Sequence, residues 1–93
     1  MAVTVDDVKR ELNITWDDKG TNEKLEKILC RAENTLTRAA GREIDFDTDL
    51  FAQQILFDCC RYIFSDAFKQ FKIDYEQELL ELRLDGADDE DGE

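Results

Sequence analysis

Few residues in this chain have the type and spacing to do chemistry. Asp45-Phe46-Asp47-Thr48-Asp49 opens like the D-x-D-x-D of a calcium loop. That loop needs Gly at its sixth position and Glu at its twelfth, and Leu50 and Leu56 stand there instead. The acids are better read as caps and dipole partners of a following helix. Cys30, Cys59 and Cys60 are an odd count without C-x-x-C spacing, and the adjacent pair falls in a helical pattern where a mutual disulfide is badly strained. They read as small buried or half-buried hydrophobes in a reducing compartment. There is no histidine, which removes His-based triads and most zinc sites. Neither G-x-G-x-x-G nor G-x-x-x-x-G-K-[ST] occurs. The sequon Asn13-Ile14-Thr15 has meaning only in a secreted chain. Carboxylate pairs such as Asp6/Asp7 and Asp17/Asp18 lie in polar stretches and read as solvated charge. No enzymatic activity, cofactor or metal is expected.

The informative chemistry is apolar. Five of the six phenylalanines lie between Phe51 and Phe71. Phe64, Phe68, Phe71, Tyr75, Leu79 and Leu82 recur every three or four residues, so a helix would align them on one face. A domain of 93 residues buries only part of so wide a stripe. The first part (Phe51, Ile55, Phe57, Cys59, Tyr62, Ile63) reads as core. The second, from Phe71 to Leu84, reads as surface left for a partner.

The elements that must carry these residues are helical. Pro is absent, Gly is scarce and the apolar period is 3.6. The expected fold is all-α, a small bundle of about four helices with a long central third helix and a C-terminal helix. Thr4 and Asp7 mark a capping box, Val5, Val8 and Leu12 give the first helix its apolar face, and Asn13 ends it. Ile14 and Trp16 are expected to anchor a turn through Asp17–Gly20, with Gly20 at positive φ. Thr21 or Asn22 then caps a second helix with Leu25, Ile28, Leu29, Ala32, Leu36 and Ala39 on its inner face, closed by Gly41. Asp47 or Thr48 is expected to start the third helix, which runs from Asp49 to about Phe68 and is apolar nearly all round. A fourth spans about Asp74–Leu84, with its junction to the third near Lys69–Ile73 left open. Residues 1–84 form the domain, and 85–93 an acidic, disordered tail.

The formal charge is −12. Residues 85–93 hold six acids and no base; the other 18 acids and 12 bases leave a body of −6. No basic stripe is evident, so a direct grip on a phosphate backbone is not expected. No run is long enough to span a bilayer and no signal peptide is evident, so an intracellular chain is expected.

Laid out in order, these blocks resemble the small head–tail connector (adaptor, or head-completion) proteins of long-tailed bacteriophages, over about residues 3–84. The resemblance begins with Val5-x-x-Val8-Lys9-x-x-Leu12 and the acidic turn. It continues through Leu25-Glu26-x-Ile28-Leu29-x-x-Ala32-Glu33 and Gly41. Its most distinctive part is Cys60-Arg61-Tyr62, Ser65-Asp66-Ala67, Phe71, Tyr75 and Glu78-Leu79-Leu80-x-Leu82. It implies a structural virion protein in the neck, made in the host bacterial cytoplasm. Copies would form a ring, commonly twelve-fold, beneath the portal protein. The ring would extend the DNA channel and offer a docking surface to a tail-side neck or stopper protein. DNA would pass through without sequence-specific binding, and no membrane is involved. Carried onto this chain, the resemblance makes Phe68, Phe71, Tyr75, Leu79, Leu82 and Leu84 candidate portal or inter-subunit contacts, with Arg61 and Tyr62 as family-motif residues whose role is open. The alternative is a small acidic helical inhibitor that mimics DNA and binds a basic protein. A third reading is a bacterial helical interaction module unrelated to phage.

Overall fold

The computed structural model describes the backbone of residues 3–15 and 18–91 and the side chains of 3–15 and 18–84. Trp16 and Asp17, expected in the first turn, lie outside the described residues. The fold is all-helical: α1 (Val5–Leu12), α2 (Lys19–Ala40), α3 (Leu50–Phe64), α4 (Phe68–Asp74) and α5 (Glu76–Asp91). α2 packs against α1, α3 and α5; α3 also packs against α1 and α4; α4 meets α5. The longest helix is thus α2, at 22 residues, and not the third, at 15.

Local chemistry sets the boundaries. Thr4 and Asp7 form a reciprocal capping box, with the Asp7 amide donating to Thr4 Oγ1 (3.3 Å) and the Thr4 amide to Asp7 Oδ2 (3.0 Å). Those hydrogen bonds, that from the Thr4 amide foremost, hold the Asp7 carboxyl below its usual range. Asn13 ends α1 in the left-handed conformation, φ 59°. Asp18, not Thr21 or Asn22, caps α2: its carboxylate accepts from the Thr21 amide at 2.7 Å, adding negative charge where the helix dipole favours it. Gly20 is consequently helical and not a positive-φ turn residue. Gly41 closes α2 at φ 74°. In the Asp45–Asp49 stretch, Asp45 accepts from the Asp47 amide and Asp49 caps α3 through the Ala52 amide, so both serve the chain's own backbone.

The third helix stops four residues earlier than its periodicity suggests. Asp66 is left-handed (φ 63°), the Ala67 amide donates to the Tyr62 carbonyl at 2.7 Å and the Asp66 amide to the Ile63 carbonyl at 3.0 Å. This 6→1 and 5→2 pair is a Schellman stop with aspartate where glycine is usual. A second, softer break falls at Tyr75, where i→i−4 hydrogen bonds continue on both sides (Tyr75 to Phe71, Leu79 to Tyr75). Lys69–Ile73, the expected junction, is inside α4. α5 continues to Asp91, past the boundary expected at Leu84. Composition alone does not end a helix: once Leu79 and Leu82 anchor α5, each further residue adds a backbone hydrogen bond.

The core draws Val8 from α1, Leu25, Ile28, Leu29, Ala32, Leu36 and Ala40 from α2, and Ala52, Ile55, Leu56, Phe57, Cys59 and Cys60 from α3. Val3, Ile14 and Phe46 close it from the loops. Phe51, read as core, is exposed with Leu50 on the first turn of α3. Cys59 and Cys60 are buried and their thiols are pushed up to about 12 by desolvation, whereas Cys30 is exposed, contrary to the sequence reading. A thiol-reactive dye should therefore label Cys30 rapidly in the native protein, and Cys59 and Cys60 only after unfolding. Rapid native labelling of all three would contradict this packing.

Candidate interaction surface

The second half of the aromatic stripe is mostly inside the molecule. Phe71 and Leu82 are 0% exposed, and Phe68, Tyr75 and Leu79 are half-buried against the core. The expectation that Phe71–Leu84 lacks internal cover is corrected. The cover comes from two places: the chain turns at the Schellman stop so that α4 packs on α3, and α2 covers α5 as well as α3. Of the candidate contacts, only Leu84 is substantially open.

Around Phe71 the rings form one cluster. Tyr75 stacks on Phe71 at 4.8 Å between centroids, Tyr62 meets both edge-on at 5.6 and 5.7 Å, and Phe68 lies 6.5 Å away. Both tyrosines bury ring and satisfy hydroxyl: Tyr62 Oη donates to Asp74 Oδ2 and Tyr75 Oη to Asp58 Oδ2, each at 2.8 Å. Asp58, whose side chain is 13% exposed, also accepts from Arg61 Nη1 at 3.0 Å and Gln54 Nε2 at 3.2 Å. Arg61 Nη2 reaches the Glu11 carbonyl in the last turn of α1, where a cation is favoured. Arg61 thus ties α3 to α1, and Tyr62 ties α3 to α4. Both motif residues bond within the chain, and Asp58 and Asp74, which periodicity could not single out, are their partners.

Burial, then the hydrogen bond to Asp58, raises the Tyr75 hydroxyl from 10.0 to about 12. The Asp74 hydrogen bond raises that of Tyr62. A raised folded-state value means that the neutral form is held by the fold. The contribution of Tyr75 is therefore complete below pH 10 and is lost as pH rises toward about 12. Tyr75→Phe should lower stability by about 1 kcal/mol at neutral pH, and its urea midpoint should fall less steeply than wild type between pH 10 and 12. Parallel alkaline profiles would show that the Tyr75–Asp58 bond is absent in solution.

On α4 and α5 what remains uncovered is Leu84 together with two residues that were not candidates, Leu80 and Ile73. Leu80 and Leu84, four residues apart on α5 and each 52% exposed, share its outward side while Leu79 and Leu82 face inward; Ile73 is exposed on α4. Beside them α2 presents a basic strip. Lys24, Lys27, Arg31 and Arg38 are spaced three, four and seven residues apart, hence on one face. Arg31 and Lys72 lie over the Phe68 ring at 4.2 and 5.1 Å, and Lys24 lies over Phe64 at 5.2 Å. No basic stripe was expected from the sequence; the four bases share one face of α2, and Lys72 of α4 joins them at the Phe68 ring.

Among the described residues, no group of three or more His, Cys, Asp or Glu side chains is placed to hold a metal ion, and no helix is long and apolar enough to cross a membrane. No protein-family model, curated protein or solved structure matches the chain.

Proposed function

We propose that this chain is a structural virion protein: a ring-forming head–tail connector in the virion neck that binds beneath the portal, extends the DNA channel and offers a docking surface to the tail. The observation that carries the reading is where the resembling blocks fall in the fold. Cys60-Arg61-Tyr62 is the joint between α3, α1 and α4; Ser65-Asp66-Ala67 is the Schellman stop; Phe71 and Tyr75 fill the ring cluster. In this reading the motif specifies the subunit, and contact with neighbours falls to the apolar residues that the subunit leaves open. Leu84 therefore stays a portal-facing candidate and Leu80 joins it in place of Phe71 and Leu82, while Phe68, Tyr75 and Leu79 pack against the core.

The acidic DNA-mimic alternative is less well supported. It needs carboxylates along one elongated face, and α2 presents a face of four bases instead. Co-expression with the portal protein of the same genome, followed by capture and electron microscopy, tests the proposal. A ring of copies on the portal supports it; a portal recovered bare rules out the portal-binding role.

A further inference from the structure

A cleft lies between α2 and the α4–α5 junction. It has a volume of about 530 Å³ and is lined by Arg31, Asn34, Thr35, Arg38, Phe68 and Lys72, with Leu79 forming part of its wall. In a chain of net charge −12 this cleft presents three cations and no carboxylate. None of the three forms an ion pair among the described residues. Two of them are held against the Phe68 ring, which fixes their position without neutralising them. A positive, partly pre-organised groove of this kind selects an anionic occupant.

We propose that the occupant is the acidic C-terminal segment, residues 85–93, of a second copy of this chain. Charge complementarity carries the choice. That segment concentrates Asp85, Asp88, Asp89, Glu90, Asp91 and Glu93 within nine residues and has no base among them; in the sparser acidic run Glu43–Asp49, Asp45 and Asp49 already accept from the chain's own backbone amides. A copy's own segment is poorly placed to fill its own groove. Leu79 is part of the groove wall, and the helix that continues from it carries Asp88–Asp91 about 14–18 Å further along its axis. Segment and groove are different surfaces of the subunit, so the contact is head-to-tail. Repetition of such a contact closes a ring when the rotation allows it. The inference rests on the ring-forming reading, and its test uses this chain without a portal so that the two fail separately.

The test is zero-length carbodiimide cross-linking of a mixture of isotopically light and heavy full-length chains at low salt. This reagent joins a carboxylate to an amine it already touches, and Lys72 supplies the amine. The expected product is a mixed light–heavy cross-link between Lys72 and an acid within residues 85–93, lost near 1 M salt where the screening length falls to about 3 Å. Arg31→Glu with Arg38→Glu should abolish it, and mixing that variant with an Asp88→Lys, Asp89→Lys partner should restore association by sedimentation, with circular dichroism confirming that both are folded. Cross-links only within one chain, or none at any protein concentration, would overturn the proposal. So would salt-sensitive capture of duplex DNA without the cross-link, which would put nucleic acid in the groove.

Discussion

Phe71→Ala should lower the stability of the folded chain by about 3–5 kcal/mol, against a total of about 5–15 kcal/mol for a domain of this kind. The side chain is 0% exposed and touches ring faces and edges from Phe68, Tyr62 and Tyr75. Its removal leaves a cavity that three rings cannot fill, since the two tyrosines are tethered by their hydroxyls to Asp74 and Asp58. Urea unfolding followed by circular dichroism measures the loss. Phe71→Leu, which keeps most of the volume, should cost far less, about 1–2 kcal/mol. The experiment also separates two readings of the residue. A partner-facing Phe71 would lose association and keep its stability, so a cost below about 1 kcal/mol would mean that α4 is not docked as described.

The second large effect is the converse. Leu80→Asp with Leu84→Asp should leave stability within about 0.5 kcal/mol of wild type for each change, because both side chains are already half in water. Portal capture should nevertheless weaken by about 100-fold or more, the result of losing roughly 3 kcal/mol from two apolar anchors and burying charge in their place. The pair Tyr75→Ala and Leu79→Ala would not answer the question as cleanly. Those side chains are packed on the core, and Tyr75 holds Asp58, so lost binding could not be told from lost folding. Unchanged capture by a folded Leu80→Asp, Leu84→Asp protein would remove α5 from the interface.

Much of the fold was legible because local rules were obeyed locally. The Thr4–Asp7 box, the Asn13 stop, the Gly41 close and the inner face of α2 all appear as residue types at fixed offsets, except that Ala40 and not the expected Ala39 is buried at the end of that face. The Schellman stop was hidden because Asp66 takes the position that glycine normally advertises, and the apolar period runs through it in phase. The main error about the stripe lay in expecting too little cover for its second half, because the pattern along the chain does not show that α2 packs on α5 as well as on α3. The α2 cap was misplaced for a smaller reason: Asp18, Thr21 and Asn22 are all competent caps, and the hydrogen bond at Asp18 decides among them. The basic groove was invisible along the chain because Arg31 and Lys72 meet only through Phe68. Leu80 lay in a run of leucines whose inward and outward members are set by the register of α5 on α2, which no pairwise spacing reveals.

Whether copies of this chain form the proposed ring between portal and tail can be seen by cryo-electron microscopy of particles assembled from the genome that encodes it. The expected image is a ring of all-helical subunits seated on the portal around the DNA channel, with α5 and its Leu80 and Leu84 against the portal. Complete, DNA-filled, tail-joined particles whose neck contains no copy of this chain would contradict it.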